Sequence, residues 1–151
     1  MTLLDVLRVV EAAAAAQPTV NMIVRSDAFR LNGRTDAKYG AFAWVQGQHY
    51  AALETGLRSY VLTLYYIDRL TDDRSNEAEV QSVGIETLAN VLRAVDEAGV
   101  VVDGTPTFQP FTQRFLDECA GVFCNVTLQA YEDDICGEPF PAADGSGVMV
   151  V

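Results

Sequence analysis

The chain contains one histidine, His49, so any serine–histidine or cysteine–histidine nucleophile pair would have to use it as the base. His49 lies in the polar segment 46–50, which predicts a loop. That segment lacks the glycine-framed turn that presents a nucleophilic serine. We therefore expect a surface or interface histidine and predict no catalytic residue.

Three cysteines, Cys119, Cys124 and Cys136, are the other candidates for nucleophiles or metal ligands. They form no Cys-x-x-Cys pair, and with a single histidine a zinc site would have to recruit carboxylates that no spacing supports. Cys124 falls inside a predicted strand, where a cysteine usually serves as a small buried hydrophobic residue. The odd count is typical of a protein from a reducing, intracellular environment.

Paired carboxylates are a third candidate, because they can transfer protons or hold calcium. They occur as Asp72-Asp73 and as the Glu-Asp-Asp run 132–134. Neither run alternates oxygen ligands with the glycine of a calcium loop, and the glycine-containing turns are too short to cradle a phosphate. Solvated loops are the stronger interpretation. The sequence therefore predicts no metal site and no cofactor, and indicates that the protein is not an enzyme.

The charge of the chain limits its partners. It has 21 acidic and 10 basic residues, which give a formal net charge of −11 at pH 7. A DNA-binding surface needs clustered positive charge to displace counterions from phosphates, and no such cluster exists. We expect DNA not to be bound specifically, although an acidic wall that DNA slides past fits this charge. No apolar stretch approaches the roughly 20 residues that span a bilayer, so we expect no membrane contact.

Two helices are predicted. The first follows a capping box at Thr2, continues through apolar residues at helical spacing, and is stopped by Pro18. The second spans about residues 77–98, with Gly84 inside its apolar stripe and Gly99 as its C-terminal cap. Glycine inside a helix costs about 1 kcal/mol relative to alanine. We therefore expect Gly84 to permit a close approach to a sheet.

Strand signals fill most of the remaining sequence. Segments 22–24 and 41–45 are short apolar runs, the second broken by Gly47. Segment 59–68 has β-branched and aromatic residues in both alternating sets, which predicts a central strand covered on both faces. Segment 121–130 alternates, which predicts a final strand with one buried and one half-polar face. The element order indicates an α+β fold: a mixed, mostly antiparallel sheet with the N-terminal helix and a second long helix packed on it, plus an extended strand and loop arm.

The arm and the C-terminal end are the predicted contact surfaces. The arm is the segment that carries the basic residues Arg25, Arg30, Arg34 and Lys38. The chain finishes with four hydrophobic residues, which gain no stability from exposure to water. We therefore expect these four to dock on the fold or on a neighbour. The predicted interface consists of Arg25, Arg30, Arg34, Lys38, Trp44, Val148, Met149, Val150 and Val151. We expect charge reversal at Arg25 and Arg30 to leave the monomer folded but to block assembly.

This arrangement resembles bacteriophage tail-terminator proteins of the lambda minor-tail-protein-U kind, the related tail-completion family and neck ring proteins. The likeness rests on a central strand with its following helix, 58–67 and 78–95, and on the closing pieces 111–115 and 122–131. It covers about residues 1–131, interpreted as one domain, and leaves 132–151 as a C-terminal extension.

The resemblance implies a structural virion protein without chemistry. Such subunits assemble in the cytoplasm of the bacterial host into homo-oligomeric rings, contact neighbouring neck, tail or portal-associated proteins, and let DNA pass. The alternative is a small cytosolic α+β module of a bacterium that binds a ligand or a protein, and an enzyme using His49 or a cysteine ranks last. The hydrophobic share of 50 % favours the ring, because subunit interfaces would bury the excess.

Overall fold

The computed structural model describes residues 1–27, 36, 38–112, 118–132 and 147–151. In these ranges the elements are α1 (Leu3–Ala15), β1 (Met22–Arg25), β2 (Ala41–Ala52), β3 (Leu57–Arg69), α2 (Glu77–Glu97), β4 (Val101–Asp103), β5 (Phe108–Thr112), β6 (Cys119–Tyr131) and β7 (Met149–Val150). The strands form one sheet in the order β4-β6-β3-β2-β1-β7, with β5 paired to β6 on the side of β4. β1 runs parallel to β2 and β7, and the other pairs are antiparallel. The predicted α+β fold is confirmed.

The first helix, α1, begins at the predicted capping box. The Thr2 hydroxyl accepts a hydrogen bond from the Asp5 backbone N–H at 3.2 Å. In return, the Asp5 carboxylate accepts from the backbone N–H and the hydroxyl of Thr2, each at 2.8 Å. The hydrogen bond from the Thr2 backbone holds the pKa of Asp5 below its ordinary value. Because the box satisfies N–H groups that have no partner inside the helix, it fixes where α1 starts.

Both helices pack on one side of the sheet, which we call the helix face. Its largest fully buried side chains include Val6, Val10, Phe42, Leu62, Leu64, Tyr66, Leu88 and Leu128. Alternate strand residues point to the opposite side, the outer face. A second apolar cluster lies there, and its buried members all come from strands: Met22, Val24, Ala41, Ala43, Ile67, Phe111 and Cys119. The sheet therefore has a helix-covered core and a smaller strand-only core behind it.

The central strand, β3, is less covered than the sequence predicted. Its helix-face residues Tyr60, Leu62 and Leu64 are buried. Its outer-face residues Val61 and Thr63 are only half-buried. The expectation that both faces are covered is therefore wrong for this part of β3, because neither α1 nor α2 contributes to the outer-face cluster.

Three glycines make room for Tyr66, the largest fully buried side chain. An added Cβ at Gly84 would lie 3.0 Å from the Tyr66 ring, which confirms the predicted close approach of α2 to the sheet. At Gly40 a Cβ would lie 2.5 Å from the Tyr66 hydroxyl, and at Gly121 it would lie 1.8 Å from the Tyr66 carbonyl oxygen. Burial of the phenol raises the pKa of Tyr66 to about 12.

Burial of Tyr66 and Cys124 should make the fold sensitive to alkaline pH. Burial raises the pKa of the Cys124 thiol from 9.0 to about 12, and that of Tyr66 from 10.0 to about 12. Since the folded state holds both protons more tightly than the unfolded chain, their stabilisation is complete below about pH 9 and is lost as the pH rises toward about 12. We expect the free energy of unfolding in urea to fall by roughly 2–4 kcal/mol between about pH 9 and pH 11.

A variant with Tyr66→Phe and Cys124→Ala should lose much less stability over the same pH range, even though it starts from a lower value. Tyr131→Phe is the matched control, because it removes a phenol hydroxyl from an exposed tyrosine outside the core. Parallel pH dependences of the wild type and the double variant would contradict the assignment.

The second strand, β2, does not break at Gly47 as predicted. It continues through this residue, and its register with β3 shifts between Gln46 and His49, which marks a β-bulge. The His49 ring occupies the irregularity: its Nδ1 accepts a hydrogen bond from the Val61 backbone N–H at 3.2 Å, and its Nε2 lies 3.0 Å from Gln46 Oε1. With Nδ1 as an acceptor, Nε2 carries the proton and donates to Gln46. The predicted loop at 46–50 is therefore wrong, and the His49 ring accepts a hydrogen bond from the neighbouring strand.

Candidate interaction surfaces

Two residues of the predicted interface, Arg25 and Trp44, meet at a buried carboxylate, Glu11 of α1. Arg25 donates from Nε to Glu11 Oε1 at 2.6 Å and from Nη2 to Oε2 at 2.7 Å. Trp44 donates from Nε1 to Oε1 at 2.9 Å. Glu11 is only 3 % exposed, and the Trp44 side chain is also buried, whereas the Arg25 side chain is half-exposed at the end of β1.

These three hydrogen bonds allow a carboxylate to lie on the apolar side of α1. Both oxygens of Glu11 are satisfied, which is the condition for burying an ionised group. The hydrogen bond to Glu11 raises the pKa of Arg25. The expectation that charge reversal at Arg25 leaves the monomer folded is at odds with this buried ion pair. A charge reversal there would bring two carboxylates together instead of testing an interface.

Glu11 is missing from the predicted interface, although the sequence carries a signal for it. Glu11 follows Leu7 by four residues and Val10 by one, so it falls inside the apolar stripe of α1. A carboxylate in such a stripe requires a cationic or N–H partner from elsewhere in the fold. Arg25 and Trp44 supply that partner.

An open pocket of about 400 Å³ adjoins this cluster, and we call it the α1 pocket. Its lining consists of Leu4, Leu7, Arg8, Glu11, Arg25 and Trp44. Leu4 is exposed, so the pocket has an apolar residue open to solvent. Two guanidinium groups stand against one carboxylate that is itself buried and paired. The pocket is therefore apolar and locally positive on a chain whose net charge is −11.

The C-terminal hydrophobic residues form the edge of the sheet, where β7 pairs in parallel with β1. The Val151 N–H donates to the Ile23 carbonyl, and the Val151 carbonyl accepts from the Arg25 N–H, both at 2.9 Å. Of the two placements that the sequence left open, the structure has the one in which these residues dock on the fold. Their side chains divide between the two cores and stay half-buried: Val148 and Val150 toward the helix face, Met149 and Val151 toward the outer face.

The remaining predicted interface residues belong to the basic arm. Lys38 is exposed, and its backbone N–H donates to Met22 Sδ at 3.4 Å. Arg30 and Arg34 lie outside the described residues.

A second surface lies at the far end of the β2–β3 hairpin, on the outer face. Tyr50 and Val101 occupy one row that crosses β2, β3, β6 and β4, roughly 14 Å apart at the usual strand spacing. Leu57 pairs with Tyr131 in the next row, and Leu53 lies in the hairpin turn. Their exposed fractions are 59 % for Tyr50, 51 % for Val101, 52 % for Tyr131 and 93 % for Leu53. We call Tyr50, Leu53, Leu57, Val101 and Tyr131 the hairpin patch.

No protein-family model and no curated protein matches this chain. The roles of the α1 pocket and the hairpin patch are therefore inferred from their own geometry and chemistry. Within the described ranges, no helix is both long and apolar enough to cross a membrane. In the same ranges, no group of three or more His, Cys, Asp or Glu side chains could hold a metal ion.

The described cysteines are buried in a strand, and the described residues of the acidic runs lie at the surface. Cys119 and Cys124 are buried, unlinked thiols on β6. Asp73 accepts hydrogen bonds within its exposed loop, and the one from the Ser75 backbone lowers its pKa. Glu132 lies 3.0 Å from an Arg58 nitrogen on the surface. Cys136 and residues 133–134 lie outside the described residues.

Proposed function

We propose that this chain is a ring-forming structural subunit of a bacteriophage neck or tail, either a tail terminator or a head–tail connector, through which DNA passes. The observation that carries the proposal is the hairpin patch. Isolated exposed hydrophobic residues are ordinary on a protein surface, but here Tyr50, Val101, Tyr131 and half-buried Leu57 share one end of one sheet face, and exposed Leu53 lies in the adjoining hairpin turn. Contact with neighbouring copies would remove them from water.

The element order supports the same proposal. The N-terminal helix, the central strand β3, the crossing helix α2 and the closing strand β6 follow one another as in the proteins that the sequence resembles. Such a subunit needs no active site, and it would contact its own copies and the neighbouring neck, tail or portal-associated proteins in the virion.

The distribution of charge supports passage of DNA without binding. Glu79, Glu86 and Glu97 are exposed along the solvent side of α2, on a chain of net charge −11. A ring lined by such surfaces would repel phosphates and let the duplex slide.

Phage genetics tests the proposal. In a phage that encodes this chain, a nonsense mutation in its gene should yield heads and tails that do not join, or tails of uncontrolled length, in electron micrographs. Wild-type protein supplied from a plasmid should restore normal particles. A Tyr50→Ser and Tyr131→Ser variant should not, because it removes the apolar side chains that neighbouring copies would cover.

The matched control is Ile85→Ser, which removes an exposed apolar side chain from α2, away from the patch, and should restore normal particles. Normal, infectious particles without any functional copy of the gene would refute the proposal. So would a gene that lies in a bacterial metabolic operon, which would favour the alternative of a small binding module.

A further inference from the structure

The hairpin turn presents a leucine and a carboxylate in a fixed shape. Leu53 is 93 % exposed, and the adjacent Glu54 is also exposed. The Gly56 N–H donates to the Ala52 carbonyl at 2.9 Å, and the Gly56 carbonyl accepts from the Glu132 N–H at 2.8 Å. The first bond closes the turn, and the second ties it to the residue that follows β6. We call Leu53 and Glu54 the tip.

The α1 pocket has the apolar surface and the positive charge that would bind such a tip. Leu7 and Trp44 provide an apolar wall, exposed Leu4 extends it outward, and the volume of about 400 Å³ exceeds that of a leucine side chain. Arg8 gives the lining its net positive charge, because Arg25 and Glu11 are paired with each other.

Tip and pocket are complementary in polarity and in charge. A leucine beside a carboxylate matches an apolar pocket lined by guanidinium groups, and Leu53 does not fill the pocket of its own chain, since it is almost fully exposed. On a chain with a net charge of −11, copies repel one another in general, so a local pairing of Glu54 with Arg8 would select one orientation of approach. A second copy of the chain is therefore the occupant that fits.

We propose that copies of this chain join head to tail, with the tip of one copy inserted into the α1 pocket of the next. The proposal rests on the ring-forming function and names the contact that closes the ring. Tip and pocket are different surfaces, so the contact is heterologous and repeats around a ring, whereas a self-complementary contact would end at a dimer.

Mixing two defective variants tests the contact. Leu53→Asp removes the apolar side chain of the tip, and Arg8→Glu reverses the charge of the pocket. Leu53 is exposed and Arg8 is half-buried, so both variants should fold, and thermal melts of the isolated variants check this. Each alone should be monomeric by light scattering at concentrations where the wild type assembles, with the assembly midpoint raised roughly tenfold or more. In an equimolar mixture, the Arg8→Glu copy keeps an intact tip and the Leu53→Asp copy keeps an intact pocket. One such contact can form between two copies, so the mixture should form heterodimers and no rings.

A charge swap within one chain provides the rescue. Glu54→Arg combined with Arg8→Glu should recover assembly that either single change weakens. If the wild type assembles and both defective variants assemble equally well, or if their mixture stays monomeric, the head-to-tail contact is refuted while ring formation stands. If the wild type itself never assembles, the ring-forming function fails as well.

Discussion

Replacing Gly121 by alanine should prevent the chain from reaching a stable fold. A Cβ at this position would lie 1.8 Å from the carbonyl oxygen of Tyr66 and 2.9 Å from the Phe111 ring. The closest obstacle is backbone of the central strand, which cannot rotate away as a side chain can. Because Gly121 is also paired with Ile67, relief would require β3 and β6 to separate or slip. We expect a loss of more than about 4 kcal/mol, which is most or all of the net stability of a domain at the low end of the usual range of about 5–15 kcal/mol.

Urea denaturation and the yield of folded protein measure this effect. Gly104→Ala is the matched control, because Gly104 lies in a turn where a Cβ would meet nothing within 4 Å and only its positive φ of 72° opposes the change. That control should lose about 1 kcal/mol. A Gly121→Ala protein within about 1 kcal/mol of the wild type would show that the pairing of β3 with β6 at this position is incorrect.

Removing Arg25 should destabilise the fold more than altering the carboxylate that it binds. Arg25→Ala leaves Glu11 buried with the hydrogen bond from the Trp44 N–H but without its cation, and breaking a buried ion pair from one side costs roughly 3–5 kcal/mol. Since Arg25 is half-exposed, solvent reduces this, and we expect about 2–3 kcal/mol. Glu11→Gln has a similar shape and keeps the oxygen that accepts from both Arg25 Nε and Trp44 Nε1, and it loses only the bond from Arg25 Nη2, so it should cost about 1 kcal/mol.

The double variant is the decisive control for this pair. With Glu11→Gln in place, no charge remains buried, so adding Arg25→Ala should cost much less than it does in the wild type. Thermal or urea denaturation of the four proteins gives the coupling free energy. Additive losses would mean that Glu11 and Arg25 do not interact as the geometry indicates.

The predictions from the sequence that the structure confirms depend on local patterns of residues. The capping box at Thr2, the apolar stripe around Gly84 and the cap at Gly99 all depend on residues within one or two helical turns, and the positive φ of Gly99 is as such a cap requires. The alternation in β6 likewise reflects one buried face. These patterns are legible because the chemistry and its structural consequence are neighbours in the chain.

Features that depend on distant pairing were missed or misjudged. The polar segment around His49 looked like a loop, but it extends as β2 because β3, itself paired with β6, pairs with it again after the bulge, from His49 to Ala52. The partner of Glu11 is Arg25, fourteen residues away, so the carboxylate in the apolar stripe could be noticed but not assigned. The α1 pocket and the hairpin patch exist only once these long-range contacts are made.

The molar mass of the purified full chain in solution tests the central claim most directly. Light scattering across a range of concentrations should give a mass that rises from 16.4 kDa to a defined multiple of it, with closed rings in electron micrographs of the larger species. A mass of 16.4 kDa at every concentration, with Tyr50, Leu53 and Tyr131 still open to solvent, would contradict the claim that sister copies cover the hairpin patch.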